Sequence, residues 1–263
     1  MGTHRGRASQ EDRTGKITPE QFGHISGAIQ TNLWKYLRGM DLAVAQVLIE
    51  KPYLVGRALP NSLLLEKLEE EAVKLIPYND WKVFYRDFFN IDINPLAIAV
   101  PHYELARLDF ERIIFMAYGI TPNRTYEAYQ RSGIPCRRFT EDLDKVLDWD
   151  KEERDPRKGS YAIRVRDCME SDEVLKGLLA NDIKERGIKT ETLSECLIHG
   201  LKVWSESKTH LDANSITNCT GSRYRDGNVP HVDWSGPAGE VGVGFYVPGI
   251  SRDILRSREV VSL

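Results

Sequence analysis

The chain has 263 residues, 41% hydrophobic and 29% charged, enough apolar material for one large core or two ordinary ones. Its formal net charge is −3, from 36 Lys+Arg against 39 Asp+Glu, and its mean hydropathy is −0.42. That balance excludes a disordered composition and argues against a dedicated nucleic-acid binder, which carries a basic excess. No run approaches the roughly 18 apolar residues that a spanning helix needs, so no membrane association is expected.

Residues 1–16 are polar and charged, with no apolar stretch after the basic residues. They read as a disordered tail without a secretory signal, and the chain as cytoplasmic. The four cysteines, Cys136, Cys168, Cys196 and Cys219, form no Cys-x-x-Cys pair, so reduced and mostly buried thiols are expected.

Residues 17–147 read as a mostly helical domain. Thr18-Pro19-Glu20-Gln21 is a capping box with proline at the first helical position, and Phe22, Ile25, Ile29, Leu33 and Leu37 follow as one stripe. Further helices are expected over 40–50 and 62–76. Asn79-Asp80 opens another, whose Trp81, Phe84, Tyr85 and Phe88 form a core stripe. Residues 112–117 are a buried strand or the end of a helix, which periodicity alone does not decide. Helices follow near 122–131 and from Thr140. Residues 148–159 (DWDKEERDPRKG) hold nine charges, and 148–158 read as a linker between two domains.

Alternation over 161–167 predicts a half-exposed strand. Residues 170–184 carry Val174, Leu175, Leu178, Leu179 and Ile183 at helical spacing. Thr192-Leu193-Ser194-Glu195 is a capping box for a helix with Leu193, Cys196, Leu197, Leu201 and Trp204 on one face and His199 at its flank. Short strands are expected at 216–219, 229–234, 240–245 and 256–261, with turn chemistry at Asp226-Gly227. In this reading Val232 and Trp234 point inward and His231 and Asp233 outward, while Val241, Val243 and Phe245 point inward. Gly242 and Gly244 are too few for a nucleotide loop and read as glycines on a packed strand. The first and last strands should pair, with two helices packed on the sheet.

Residues Gly159-Ser160-Tyr161, Arg166-Asp167, the helix over 192–204, Gly221-Ser222-Arg223, Asp226-Gly227-Asn228-Val229-Pro230, Val232-Asp233-Trp234 and Leu255-Arg256-Ser257-Arg258 carry a resemblance. The chain resembles uncharacterised bacterial proteins. It is also similar to the variable proteins of diversity-generating retroelements, which have a C-type-lectin fold of the formylglycine-generating-enzyme type. The resemblance covers residues 159–263 and implies an α+β fold: a helical N-terminal module, then a lectin-like domain. It implies a non-enzymatic display surface for an unknown protein or small molecule. The frame would be Val229, Val232, Trp234, Val241, Val243, Phe245 and Leu255. Tyr224, Asn228, His231, Asp233, Glu240, Tyr246 and Asp253 would form the ligand-binding face, where Tyr and Asn supply contact area and adaptable hydrogen bonds.

The Glu-Pro-Asn and Trp-Asn-Asp triplets of calcium-binding lectins are absent, so neither calcium nor another cofactor is expected. No motif matches Cys196 and Cys219 to the close cysteine pair of the oxidases of the wider fold. The alternative is a metal- or cysteine-dependent enzyme on the same unit, but the spacings of His199, His210, Cys219 and His231 match no standard ligand set. Arg223, Arg225, Arg252, Arg256 and Arg258 suit an anionic ligand, or internal pairing with Asp226, Asp253 and Glu259; the internal pairing is expected.

Overall fold

A computed structural model of the chain describes residues 77–101 and 109–263. The expected tail 1–16 and the expected helices before residue 77 lie outside the described residues. Among the described residues the fold is α+β. Helix α1 runs over residues 77–89 and buries Trp81, Phe84, Tyr85 and Phe89, the stripe of a helix with one face on a core. The Tyr85 hydroxyl donates to the Phe115 carbonyl (2.7 Å) and accepts from the Ala117 amide (3.2 Å). The buried hydroxyl is thereby satisfied and ties α1 to strand β1, Arg112–Met116.

β1 pairs antiparallel with β3, Tyr161–Val165, in the register Ile114↔Ile163. β3 in turn pairs with β8, Val261–Ser262, so the expected pairing of the 161–166 and 258–262 segments is present. The second sheet has the order β2-β6-β5-β4-β7, with β2 Cys136–Arg138, β4 Ile216–Asn218, β5 Val229–Ser235, β6 Glu240–Tyr246 and β7 Leu255–Arg256. Its centre is the hairpin β5–β6, in antiparallel register from Val229↔Tyr246 to Ser235↔Glu240. β2 and β7 add in parallel at the two edges.

These pairings revise the expected division of the chain. The described part of 17–147 contributes a strand to each sheet, and residues 78–263 form one compact unit. The 148–158 segment is therefore not a linker. Two of its charges turn inward: Arg154 forks onto Glu195, and the buried Asp155 accepts from both Nε and Nη2 of the exposed Arg157 (3.0 and 2.8 Å).

The remaining helices are α2 Pro122–Arg131, α3 Leu143–Val146, α4 Ala180–Glu185 and α5 Leu193–Ser207. α5 opens with the capping box of Thr192 and Glu195 that the sequence announces. It packs on β1 of one sheet, on β5 of the other and on α2, so residues 193–199 are all buried. The helix expected over 170–184 is instead a 3-10 turn, Glu173–Leu175, followed by the shorter α4. There the amides of Asp172 and Gly177 bond to the carbonyls of Ser257 and Leu255, replacing helical partners with non-local ones. The last expected strand is likewise two, β7 and β8. Between them Arg258 is buried in an ion pair with Asp212 (Nη2–Oδ1 2.8 Å), where the chain passes from one sheet to the other.

Candidate functional site

Cross-strand partners project to the same face of a sheet, so the register decides which side chains gather. His231 lies opposite Gly244, and Asp233 opposite Gly242. A Cβ on Gly244 would come within 2.7 Å of the His231 ring, and one on Gly242 within 2.5 Å of Asp233 Oδ1. The two glycines thus form a bed on which His231 and Asp233 lie. His231 stacks on Tyr246 (centroids 4.4 Å apart) and is only 8% exposed. Asp233 Oδ2 accepts from Arg137 Nη2 (2.8 Å), and Arg137 Nε reaches Glu240 Oε1 (3.0 Å). Burial opposes ionisation of Asp233, but His231 and the Arg137 charge outweigh it and hold the carboxyl below its usual range. His231 Nε2 approaches Asp233 Oδ1 at 3.6 Å, an ion-pair distance longer than a hydrogen bond.

The structure therefore links Tyr246, His231, Asp233 and Glu240 in one line of contacts, with Arg137 between the two acids. The expectation that His231 stands free on the surface is corrected: its ring is covered because β6 offers glycines beneath it. Tyr224 is corrected too, being 2% exposed. Phe245, expected inward, is 41% exposed and meets Phe139 edge-on (4.9 Å). Asp253 is exposed in the loop before β7, apart from the others by sequence and element.

Tyr224 instead forms the wall of a cleft. The loop before β5 turns at Asp226-Gly227, where Gly227 has φ +88° and Asn228 donates its side-chain amide to Asp226 (2.8 Å). The loop is stapled to the α3 segment by a bridge between Leu147 and Tyr224. Two backbone bonds add to it, Arg225 N to Val146 O (2.9 Å) and Asp148 N to Arg223 O (2.8 Å). Between loop and helix lies a cleft of about 520 Å³, within the usual range for small-molecule pockets. Phe139, Val146 and Tyr224 give it an apolar wall, with the Phe139 and Tyr224 rings 5.2 Å apart.

The cleft rim carries both signs of charge, but unequally engaged. Asp142 caps α3 through the Lys145 amide (3.0 Å) and accepts from Asn123 Nδ2 (2.7 Å). The Asn123 bond leads in holding its carboxyl below the usual range. Asp226 accepts from the Asn228 amide (3.0 Å) and Nδ2 (2.8 Å). Lys145, Arg225 and Glu141 have no side-chain ion pair among the described residues.

Of these residues only Tyr224 was a sequence candidate. Phe139, Lys145 and Val146 were missed because the sequence places them in another domain, and Arg225 because it was expected to pair internally. The helix start at Thr140 was the one local signal. Of the other arginines, two pair with acids different from those expected, and Arg223 and Arg252 make no ion pair among the described residues. Arg258 takes Asp212, Arg256 takes Glu173 (2.7 Å), and Arg223 donates to the carbonyls of Thr220 and Ser222 (2.8 and 2.7 Å). Arg252 lies over the Tyr246 ring, 5.4 Å from its centroid.

His199, expected at the flank of its helix, is wholly interior and bonds Glu191 through Nδ1 (2.8 Å). Cys196 and Cys219 are adjacent, buried and free. The hydrogen bond between their sulfurs, together with burial, pushes the Cys196 thiol up, and burial does the same for Cys219. Among the described residues, no three His, Cys, Asp or Glu side chains converge in a way that could hold a metal ion. No described helix is long and apolar enough to cross a membrane. Comparison of the chain with protein-family models, curated proteins and solved structures finds no match.

Proposed function

We propose that the protein is a non-enzymatic binding protein whose ligand is a small molecule held in the cleft between α3 and the loop before β5. The observation that carries this reading is the preformed apolar wall of Phe139 and Val146, backed by the buried Tyr224 ring and fixed by backbone bonds on both sides. Loops held on a rigid frame are where binding residues concentrate. A C-type-lectin-like frame for residues 159–263 is supported by the pairing of β3 with β8 and by the two helices between β3 and β4. The display surface of that reading shifts from the β5–β6 face to this cleft, because His231 and Asp233 are already engaged.

A neutral apolar fluorophore, N-phenyl-1-naphthylamine, tests the cleft. Saturable one-site binding is expected, weakened about tenfold by Phe139→Ala, since a ring contact is worth about 0.5–1.5 kcal/mol. Phe139 is 44% exposed, so its loss leaves the core intact. No saturable binding, or binding indifferent to Phe139→Ala, overturns the reading.

A further inference from the structure

Residues 247–254 join two opposite corners of the second sheet. Tyr246, at the end of β6, is paired with Val229 at the start of β5, whereas Leu255, at the start of β7, is paired with Ile216, which lies opposite Asp233. The connection therefore travels three strand spacings sideways and four residues along β5, a diagonal of roughly 20 Å against about 28 Å around the edge of the sheet. Two tight turns shorten it: the Ile250 amide donates to the Val247 carbonyl (3.1 Å) and the Leu255 amide to the Arg252 carbonyl (2.9 Å). With each turn spanning less than about 7 Å, the segment reaches at most about 25 Å. It is too short to go around the edge, so it crosses a face. One face, with Val232, Val241 and Val243, is packed in the core, which leaves the other. The midpoint of that diagonal falls on the cross-strand pair His231 and Asn218.

The crossing explains why two polar residues that point away from the core are hidden. Asn218 is 5% and His231 8% exposed, and Asn218 Oδ1 and His231 Nδ1 are buried with no hydrogen-bond partner among the described residues. Closing a segment over unpaired polar atoms costs their hydration, and opening it restores that hydration. The segment is also lightly held. Both turn bonds lie within it and move with it. Between the turns Ser251 Oγ donates to the Gly177 carbonyl (2.6 Å), and Arg252 lies over the Tyr246 ring, 5.4 Å from its centroid; residues 251–254 are all exposed. We infer that residues 247–254 form a lid that opens over His231 and Asn218 while both sheets stay folded. What it uncovers is a hydrogen-bonding surface distinct from the cleft at Phe139.

Carbethoxylation of the full chain by diethyl pyrocarbonate at one fixed pH, read by peptide mass mapping, tests the lid. His199, 1% exposed on α5, reports global unfolding. His231 is expected to label faster than His199 in the native protein. Ser251→Ala, at an exposed position, removes the bond to Gly177 and should speed His231 labelling about two- to tenfold, the worth of one hydrogen bond. His199 labelling and the melting temperature should not change. Asn218→Leu removes an unpaired buried acceptor, favours the closed lid and should slow His231 labelling. The lid is overturned if His231 labels no faster than His199, if Ser251→Ala leaves His231 labelling unchanged, or if it speeds both histidines alike. Unchanged His231 labelling in a folded Asn218→Leu protein overturns the part assigned to the unpaired acceptor.

Discussion

The Arg154 guanidinium grips both oxygens of the Glu195 carboxylate, Nε to Oε1 at 2.7 Å and Nη2 to Oε2 at 2.9 Å. Glu195 is wholly buried and also accepts from the Thr192 amide (2.8 Å), so one carboxylate closes the capping box of α5 and anchors the charged segment. Arg154 donates further to the Thr190 carbonyl. Arg154→Met would leave a buried carboxylate without its counter-charge, and should cost about 3–5 kcal/mol in urea unfolding. Arg154→Met with Glu195→Gln should recover part of that loss. A cost below about 1 kcal/mol would mean that the pair does not hold the segment to the helix.

The buried pair Glu191 and His199 sets a pH window. Burial leads in raising the Glu191 carboxyl to about 8, against the pull of the Arg258 charge. Burial, aided by the same cation, pushes His199 well below its ordinary value. From pH 4.5 to 8 the folded state therefore keeps a proton on Glu191 that the unfolded chain has lost, so stability falls as pH rises. Below pH 6.5 the unfolded chain binds a proton on His199 that the folded state refuses, so stability falls as pH drops. The two slopes oppose each other at mildly acidic pH, and above 6.5 only the Glu191 slope remains. Between pH 6.5 and 8, Glu191→Gln should remove a loss of about 1.4 kcal/mol per pH unit. Its amide can still bond the imidazole. Parallel stability–pH curves for the two proteins would refute this.

Local signals carried much of this fold, and non-local ones did not. The capping box of Thr192 and Glu195, the Asp226-Gly227 turn and the strand segments of β5 and β6 each lie within a few residues and were legible, although Phe245, expected inward, is exposed. β1 was an open choice because its partner, β3, lies some 50 residues on. β2 has three residues and a parallel partner, too short for any period. At 170–184 helical spacing was present, but Asp172 and Gly177 found carbonyls in the last strand region instead. Charge density at 148–158 suggested a solvated joint, yet Arg154 turned inward because α5 buries an acid there. Alternation placed His231 and Asp233 together on one face of β5, but as a solvent-facing surface, whereas His231 is buried. It could not say that Gly242 and Gly244 would let them fold down onto β6, nor that α3 would complete a cleft with Tyr224.

Cysteine accessibility separates the binding reading from a cysteine-dependent enzyme. Cys168 is exposed and Cys136 half-buried, whereas Cys196 and Cys219 are 2% and 0% exposed and their thiols are held protonated. Thiolate character and access control reactivity. In the native protein a disulfide reagent such as 5,5′-dithiobis(2-nitrobenzoate) should modify Cys168 first and Cys136 more slowly. Cys196 and Cys219 should react only on unfolding. Rapid native modification of Cys196 or Cys219, read by peptide mass mapping, would favour the enzyme reading.

The glycine bed under His231 makes the last prediction. The ring cannot swing away from a new methyl on residue 244, because it is stacked on Tyr246 (4.4 Å) and flanked by Asp233 (3.6 Å). A strand glycine facing such a close approach is there for space. Gly244→Ala should therefore cost about 1–3 kcal/mol, the usual penalty for overpacking. If the 2.7 Å approach is the cause, His231→Ala removes the clash and the double variant should lose less than the sum of the singles. Urea unfolding of the four proteins gives the coupling energy. A cycle additive within about 0.5 kcal/mol would show that the ring does not dictate the glycine.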